Sequence, residues 1–155
     1  MGAQLLIETL PKWITGKINA VPQNEEEATY SRILTKKDGY IVWAKTAEEI
    51  ERQMRALDPW PGSFTYIRIE KEKLLRLKIL SADVLKLSPD NTPETELRKL
   101  QEATPGQILQ TSGGNIAVQT GSGLLSLKIV QLEGKKSLEI KEFIKGYPQF
   151  IGSIL

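Results

Sequence analysis

The chain has 155 residues, of which 40% are hydrophobic and 26% charged. That balance fits one soluble, cytoplasmic globular domain with enough chain to bury a core, and no apolar run reaches transmembrane length or resembles a signal peptide. It holds neither cysteine nor histidine, which excludes disulfides, Ser-His-Asp or Cys-His catalysis and an ordinary zinc site, and its net charge of +2 makes the distribution of cations more informative than their sum.

Residues 3–15 (AQLLIETLPKWIT) place Leu6, Leu10 and Trp13 at helical spacing, with Ile7 and Ile14 on an adjoining stripe. They predict a core-facing helix that Pro11 bends or ends. Its apolar stripe is wide for a lone terminal helix and asks for a partner. Residues 17–43 are polar and aperiodic until Tyr40, and read as a linker crossing a surface. Near its end the basic pair Lys36 and Lys37 precedes an Asp38-Gly39 turn signal.

Residues 46–57 (TAEEIERQMRAL) carry the strongest helix signal. Thr46 and Glu49 have capping-box spacing, and Glu48 adds negative charge where the helix dipole favours it. Ile50, Met54 and Leu57 share a face, while Glu51 and Arg55 can pair at i, i+4. The corner DPWPG stops this helix. Pro59 and Pro61 each fix φ, and Gly62 supplies an angle other residues avoid. Such a corner aims Trp60 in one direction, either as a packing wedge or toward a ligand.

Beyond the corner the period becomes two. FTYIRIE (64–70), LLRLKILSADVL (74–85), QILQT (107–111), NIAVQT (115–120) and LLSLKIVQL (124–132) read as strands. SPDNTPETELRKLQEAT (88–104) interrupts them as an inserted loop with a short helix-like piece. Gly113-Gly114 and Gly121-Ser122-Gly123 lie between strands with no following helix, so they are hairpin turns rather than phosphate loops. Ser137 can cap a last helix, LEIKEFIK (138–145), with Gly146 as its stop. The expected fold class is α+β and mainly β: a helix and linker, then a small OB-like antiparallel barrel of five or six strands with flanking helices.

Taken together, GAQLLIETLPKWITGKI, PQNEEEATYSRILTKKDGYIVW, AEEIERQMRALDPWPGSFTYI, PGQIL, GSGLLSLKIVQLEGKKSLEIKEFIKGY and the terminal GSIL resemble the methionyl-tRNA formyltransferase family. The resemblance covers nearly all of the chain apart from residues 86–104, which form a longer insertion than the family usually has. Val42 and Ala44 also depart from the family's Asp and Ser in the segment IVWAK. The resemblance implies a division into a remnant of the catalytic domain (1–20), a linker (21–45) and a C-terminal barrel domain (46–155).

The family moves a formyl group from 10-formyltetrahydrofolate to the amino group of methionyl initiator tRNA, in translation initiation. Its catalytic Asn, His and Asp belong to an N-terminal domain, and this chain without histidine is expected to be inactive alone. The resemblance therefore implies no catalytic residue, cofactor or metal here. The partners it implies are initiator tRNA and a catalytic formyltransferase domain, with no membrane.

The resemblance also implies tRNA contacts, mostly to phosphates. Lys36 matches a lysine of the family's TKKDG-like segment, with Lys37 beside it, and Lys135 and Lys136 match its GKK motif. Arg55 matches a basic position before the corner, although pairing with Glu51 would also account for it. Arg76 and Lys78, in the basic run KEKLLRLK that also holds Lys71 and Lys73, share a strand face by alternation. That stripe is either an RNA contact or an ordinary solvated face.

Glu25, Glu26 and Glu27 argue against RNA at mid-linker. Two readings compete: the C-terminal domain of another folate-dependent formyltransferase, acting on a sugar nucleotide or hydrolysing the folate, or a free-standing RNA-binding barrel. The basic linker and the GKK motif favour the tRNA enzyme. Because relatives with unrelated substrates share the proline corner, Trp60 is expected to be a packing wedge.

Overall fold

The structure, a computed structural model, describes residues 2–68, 74–86, 93–94 and 102–155. The chain divides into two compact units, Met1–Ile33 and Leu34–Leu155. Lys71, Lys73, the end of the strand predicted over 64–70 and most of the 86–104 insertion lie outside the described residues.

In the first unit, helix α1 (Gly2–Ile14) runs through Pro11 instead of ending there. Proline removes one backbone donor, yet the turn behind it closes: the Thr15 backbone N–H and hydroxyl both donate to the Pro11 carbonyl, at 3.2 and 2.8 Å. The predicted apolar stripe is present, with Leu6, Leu10 and Trp13 all exposed rather than core-facing. Further along, Glu25–Glu27 forms a single 3₁₀ turn whose first donors are met by the Asn24 side chain, which accepts from the Glu26 N–H at 3.2 Å.

The second unit is a six-stranded antiparallel sheet with helices α2 (Ala47–Ala56) and α3 (Ile140–Gly146). Its strands are β1 (Ser63–Arg68), β2 (Leu74–Leu85), β3 (Ile108–Gln110), β4 (Ile116–Gln119), β5 (Leu124–Leu132) and β6 (Ser137–Glu139). The order is β1-β2-β5-β4-β3, with β6 also on β5. Strand β5 divides its second edge: its first residues pair with β4, and Ile129–Gln131 pair with β6. Register shifts near Ser81 bend β2 as it follows β5. The fold is the expected α+β class with a barrel-like sheet, but an open one: β1 and β3 do not pair with each other among the described residues.

From the edge of β1 to the turn between β4 and β5 the opening is spanned by residues 40–47, which the sequence placed at the end of a surface linker and the start of a helix. The Ile41 N–H donates to the Phe64 carbonyl on the edge of β1 at 2.9 Å, and the Gly121 N–H donates to the carbonyls of Trp43 and Lys45, both at 2.8 Å. Ala47 N–H reaches the Ser122 carbonyl at 2.9 Å. Ile41 and Trp43 are buried, and the Trp43 indole N–H donates to the Thr65 hydroxyl at 3.2 Å. Two glycines permit the close passage, because a Cβ at Gly39 would collide with the Gly62 carbonyl and one at Gly121 with the Ala44 carbonyl.

The core lies between the sheet and α2 and α3, around Ile50, Leu77, Leu125, Val130 and Phe143. Helix α2 keeps the predicted capping box: the Glu49 N–H donates to the Thr46 hydroxyl at 3.1 Å and the Thr46 N–H to the Glu49 carboxylate at 2.9 Å. Hydrogen bonding of the Glu49 carboxylate by Thr46, first by its backbone N–H and then by its side chain, lowers the Glu49 pKa.

Helix α3 departs from expectation. Ser137 opens strand β6 rather than capping a helix, which starts instead at Ile140 with Glu139 as its flanking residue. Pairing with Gln131 recruits Ser137 into the sheet, so tertiary context overrides the local capping signal. Gly146 ends the helix but is not left-handed. The last residues then cover the free edge of β3: the Ile108 N–H donates to the Ser153 carbonyl at 2.9 Å, and the Leu155 N–H to the Gly106 carbonyl at 3.0 Å.

Candidate nucleic-acid interface

The 3₁₀ turn Lys36–Gly39 carries the first two candidate cations. Its start is held by Asp38, whose carboxylate accepts from the Thr35 N–H at 2.6 Å and from the Thr35 hydroxyl at 2.9 Å. The far side of the turn rests on the proline corner through the Gly39–Gly62 approach, and the Gln53 amide donates to the Asp38 and Tyr40 carbonyls, both at 3.1 Å. Lys36 and Lys37 therefore project, exposed, from a turn fixed on three sides.

Tyr40 follows the turn, and its ring meets Phe64 and Tyr66 of β1 at centroid distances of 5.9 and 6.1 Å. In the β1–β2 register Tyr66 faces Arg76 and Phe64 faces Lys78, so all four share the outer face. The Arg76 guanidinium lies over the Phe64 ring, 5.6 Å from its centroid. This confirms the alternation that grouped Arg76 with Lys78.

One strand further, Lys78 faces Gln131, whose side-chain amide donates to the Lys135 carbonyl at 2.9 Å. The β5–β6 turn, with Lys135 and Lys136 exposed, thus belongs to the same surface. A depression of about 110 Å³ lined by Arg76, Lys78, Gln131 and Glu133 joins them. Among the described residues, no charged side-chain nitrogen of Lys36, Lys37, Arg76, Lys78, Lys135 or Lys136 has a carboxylate within 4.0 Å, although the Arg76 backbone N–H donates to the Glu133 carboxylate at 3.4 Å. Elsewhere on the unit Lys128 is paired with Asp83 and Lys145 with Glu142, whereas Lys45, Arg52 and Lys141 resemble the six in lacking such a partner among the described residues.

Arg55 differs from the other six. Its guanidinium is bound to Glu51 at 2.6 Å, and it lines a separate cavity of about 370 Å³ whose walls include Asp58 and Asp83. Lys78 alone lines both hollows. Glu51 competes with a phosphate for this arginine, although an exposed i, i+4 pair of this kind is weak.

Trp60 also departs from the packing reading. The Asp58-Pro59 and Trp60-Pro61 bonds are both cis, and Gly62 has φ +73°. The corner is stiff as expected, but Trp60 is 55% exposed, and the buried residues around it are Leu57, Ser63 and Phe64. The surface-facing tyrosines were missed at the sequence level. Their signal was the alternation of Phe64, Tyr66 and Arg68 against Arg76 and Lys78, which shows only once the hairpin register is known.

Among the described residues no helix is long and apolar enough to cross a membrane, and no group of three or more His, Cys, Asp or Glu side chains is placed to hold a metal.

Residues 33–148 match the family described as formyl transferase, C-terminal domain, a span that begins almost where the second compact unit does. Curated relatives include the methionyl-tRNA formyltransferase of Agathobacter rectalis, 37% identical over 145 residues, which span 94% of this chain and 41% of the relative. The enzyme of the same name from Lachnospira eligens is 38% identical over 146 residues, with 94% and 42% covered. That of Treponema denticola is 40% identical over 133 residues, with 85% and 38% covered. The chain thus spans about two-fifths of the length of these relatives. Among solved structures, HypX from Aquifex aeolicus superposes with a TM-score of 0.58 at 13% identity, over 96% of this chain and 24% of that one, a likeness of fold alone. By its sequence match and its barrel-like α+β unit, this chain belongs to the formyl transferase C-terminal domain family.

Proposed function

We propose that this chain is the tRNA-binding part of a methionyl-tRNA formyltransferase. Its catalytic partner domain would transfer the formyl group from 10-formyltetrahydrofolate to the amino group of methionyl initiator tRNA. In this reading residues 1–20 belong to the catalytic domain, 21–45 to a linker and 46–155 to the C-terminal domain, and the chain alone is inactive in formylation. The observation that carries it is the gathering of six cations, without ion-pair partners among the described residues, on one face of the second unit. Such a face follows a phosphate backbone and supplies affinity without reading sequence.

Each phosphate neutralised contributes about 0.7–0.9 to the slope of log affinity against log salt, so six contacts give a slope of about −4 to −5. Gel shift of initiator tRNA across a salt series measures it. Reversing Lys36, Lys135 and Lys136 to glutamate should weaken binding and flatten the slope by at least about 2. Unchanged affinity and slope in that triple variant would refute the assignment of this face.

A further inference from the structure

We propose that Tyr40 and Tyr66 form a stacking platform for an unpaired base of the bound RNA. The inference rests on the RNA-binding reading above and adds a second kind of contact to it. Both rings are half bare, at 43% and 41% exposure, although each is held firmly from behind. Phe64 supports them through edge contacts at 5.9 and 5.6 Å, and its own ring is covered by Arg76. The two tyrosines incline toward each other at 35° with centroids 6.1 Å apart.

Position gives the pair its ligand. Tyr40 leaves the turn that carries Lys36 and Lys37, and Tyr66 stands directly opposite Arg76. An aromatic surface lying between two groups of cations suits a strand whose phosphates meet the cations while a base turns inward onto a ring. A fully paired duplex offers no such base, whereas the loops and ends of a folded RNA do. The platform would therefore add affinity for folded or single-stranded RNA over duplex, at no cost in salt dependence.

The test uses the whole chain and four probes: initiator tRNA, a blunt RNA duplex, a short single strand and an abasic strand of equal length. Tyr40→Leu and Tyr66→Leu should each weaken tRNA binding by about tenfold while leaving the salt slope and the duplex affinity unchanged. Tyr66→Phe should restore binding, because the ring and not the hydroxyl does the stacking. The unaltered protein should hold the base-bearing strand about tenfold tighter than the abasic one, a comparison that needs no variant to fold.

Equal affinity for the two strands overturns the platform, as does an equal loss on tRNA and duplex in the leucine variants. If the lysine reversals weaken binding while the leucine variants leave it intact, the platform fails and the phosphate face stands. If neither set changes binding, both the platform and the assignment of RNA binding to this face fall, and if the unaltered protein binds none of the probes, the RNA-binding reading itself falls.

Discussion

Replacing Gly39 by alanine tests the bracing that positions the Lys36–Lys37 turn. Cβ atoms do not come within 3.0 Å of another heavy atom, and the one added here would overlap the Gly62 carbonyl oxygen, a backbone group that cannot rotate away. The Phe64 ring, 3.3 Å from the same point, blocks a second route of relief. The turn must retreat by roughly an ångström, at a cost of about 1–3 kcal/mol for overpacking. That retreat strains the 2.9 Å bond from Ile41 to Phe64, worth about another 1 kcal/mol. Reduced freedom of the unfolded chain returns about 0.4–1 kcal/mol. The net loss of about 1–3 kcal/mol corresponds to a fall of about 4–12 °C in Tm for a unit of this size.

Urea unfolding and thermal melts followed by circular dichroism measure this effect. Gly146→Ala serves as the control, because nothing lies within 4 Å of its added Cβ and its φ is not positive; it should be neutral or stabilising. Gly39→Ala should also weaken tRNA binding at temperatures where the variant is folded, since Lys36 and Lys37 move with the turn. A Gly39→Ala protein as stable as the parent would refute the close-approach argument.

Two further outcomes concern single residues. Trp43→Ala, at a buried indole hydrogen-bonded to Thr65, should cost about 3–5 kcal/mol, whereas Trp60→Ala should cost under about 1; a reversed order in urea titrations would restore Trp60 as the packing wedge. The Glu49 carboxylate, held below its ordinary value near 4.5 by the Thr46 bonds, stabilises the fold above that value and loses its contribution as pH falls through the lower folded value. The stability gap between the parent and Glu49→Gln should therefore shrink on acidification from neutral pH, and a gap that widened would contradict the capping box.

What the sequence revealed was local. The α2 cap, the Glu51–Arg55 pair and strands β2 and β5 lie where residue spacing put them, because period and capping depend on neighbours within a turn or a strand. What it concealed was set at long range. Ser137 was drawn from a cap into a strand by Gln131, and Tyr40, Ile41 and Trp43 were drawn from a linker onto the edge of the sheet by Phe64 and Gly121. Six of the seven candidate cations share a surface because hairpin register and one glutamine amide connect them, which spacing alone could not reveal. Trp60 was misjudged because a stiff corner fixes a direction, and nothing local says whether that direction leads inward.

The bridge across the open sheet also bears on the order of folding. Its hydrogen bonds join the first segment of the unit to the turn between β4 and β5, near its other end. Contacts so distant in sequence carry a loop-closure entropy that only the assembled unit repays. Strands β1, β2 and β5 can pair before residues 40–47 are seated, but the Lys36–Lys37 turn has no fixed place until they are. The face proposed to bind RNA thus depends on the seated bridge, so that binding competence would report the finished fold and not merely the presence of its sheet.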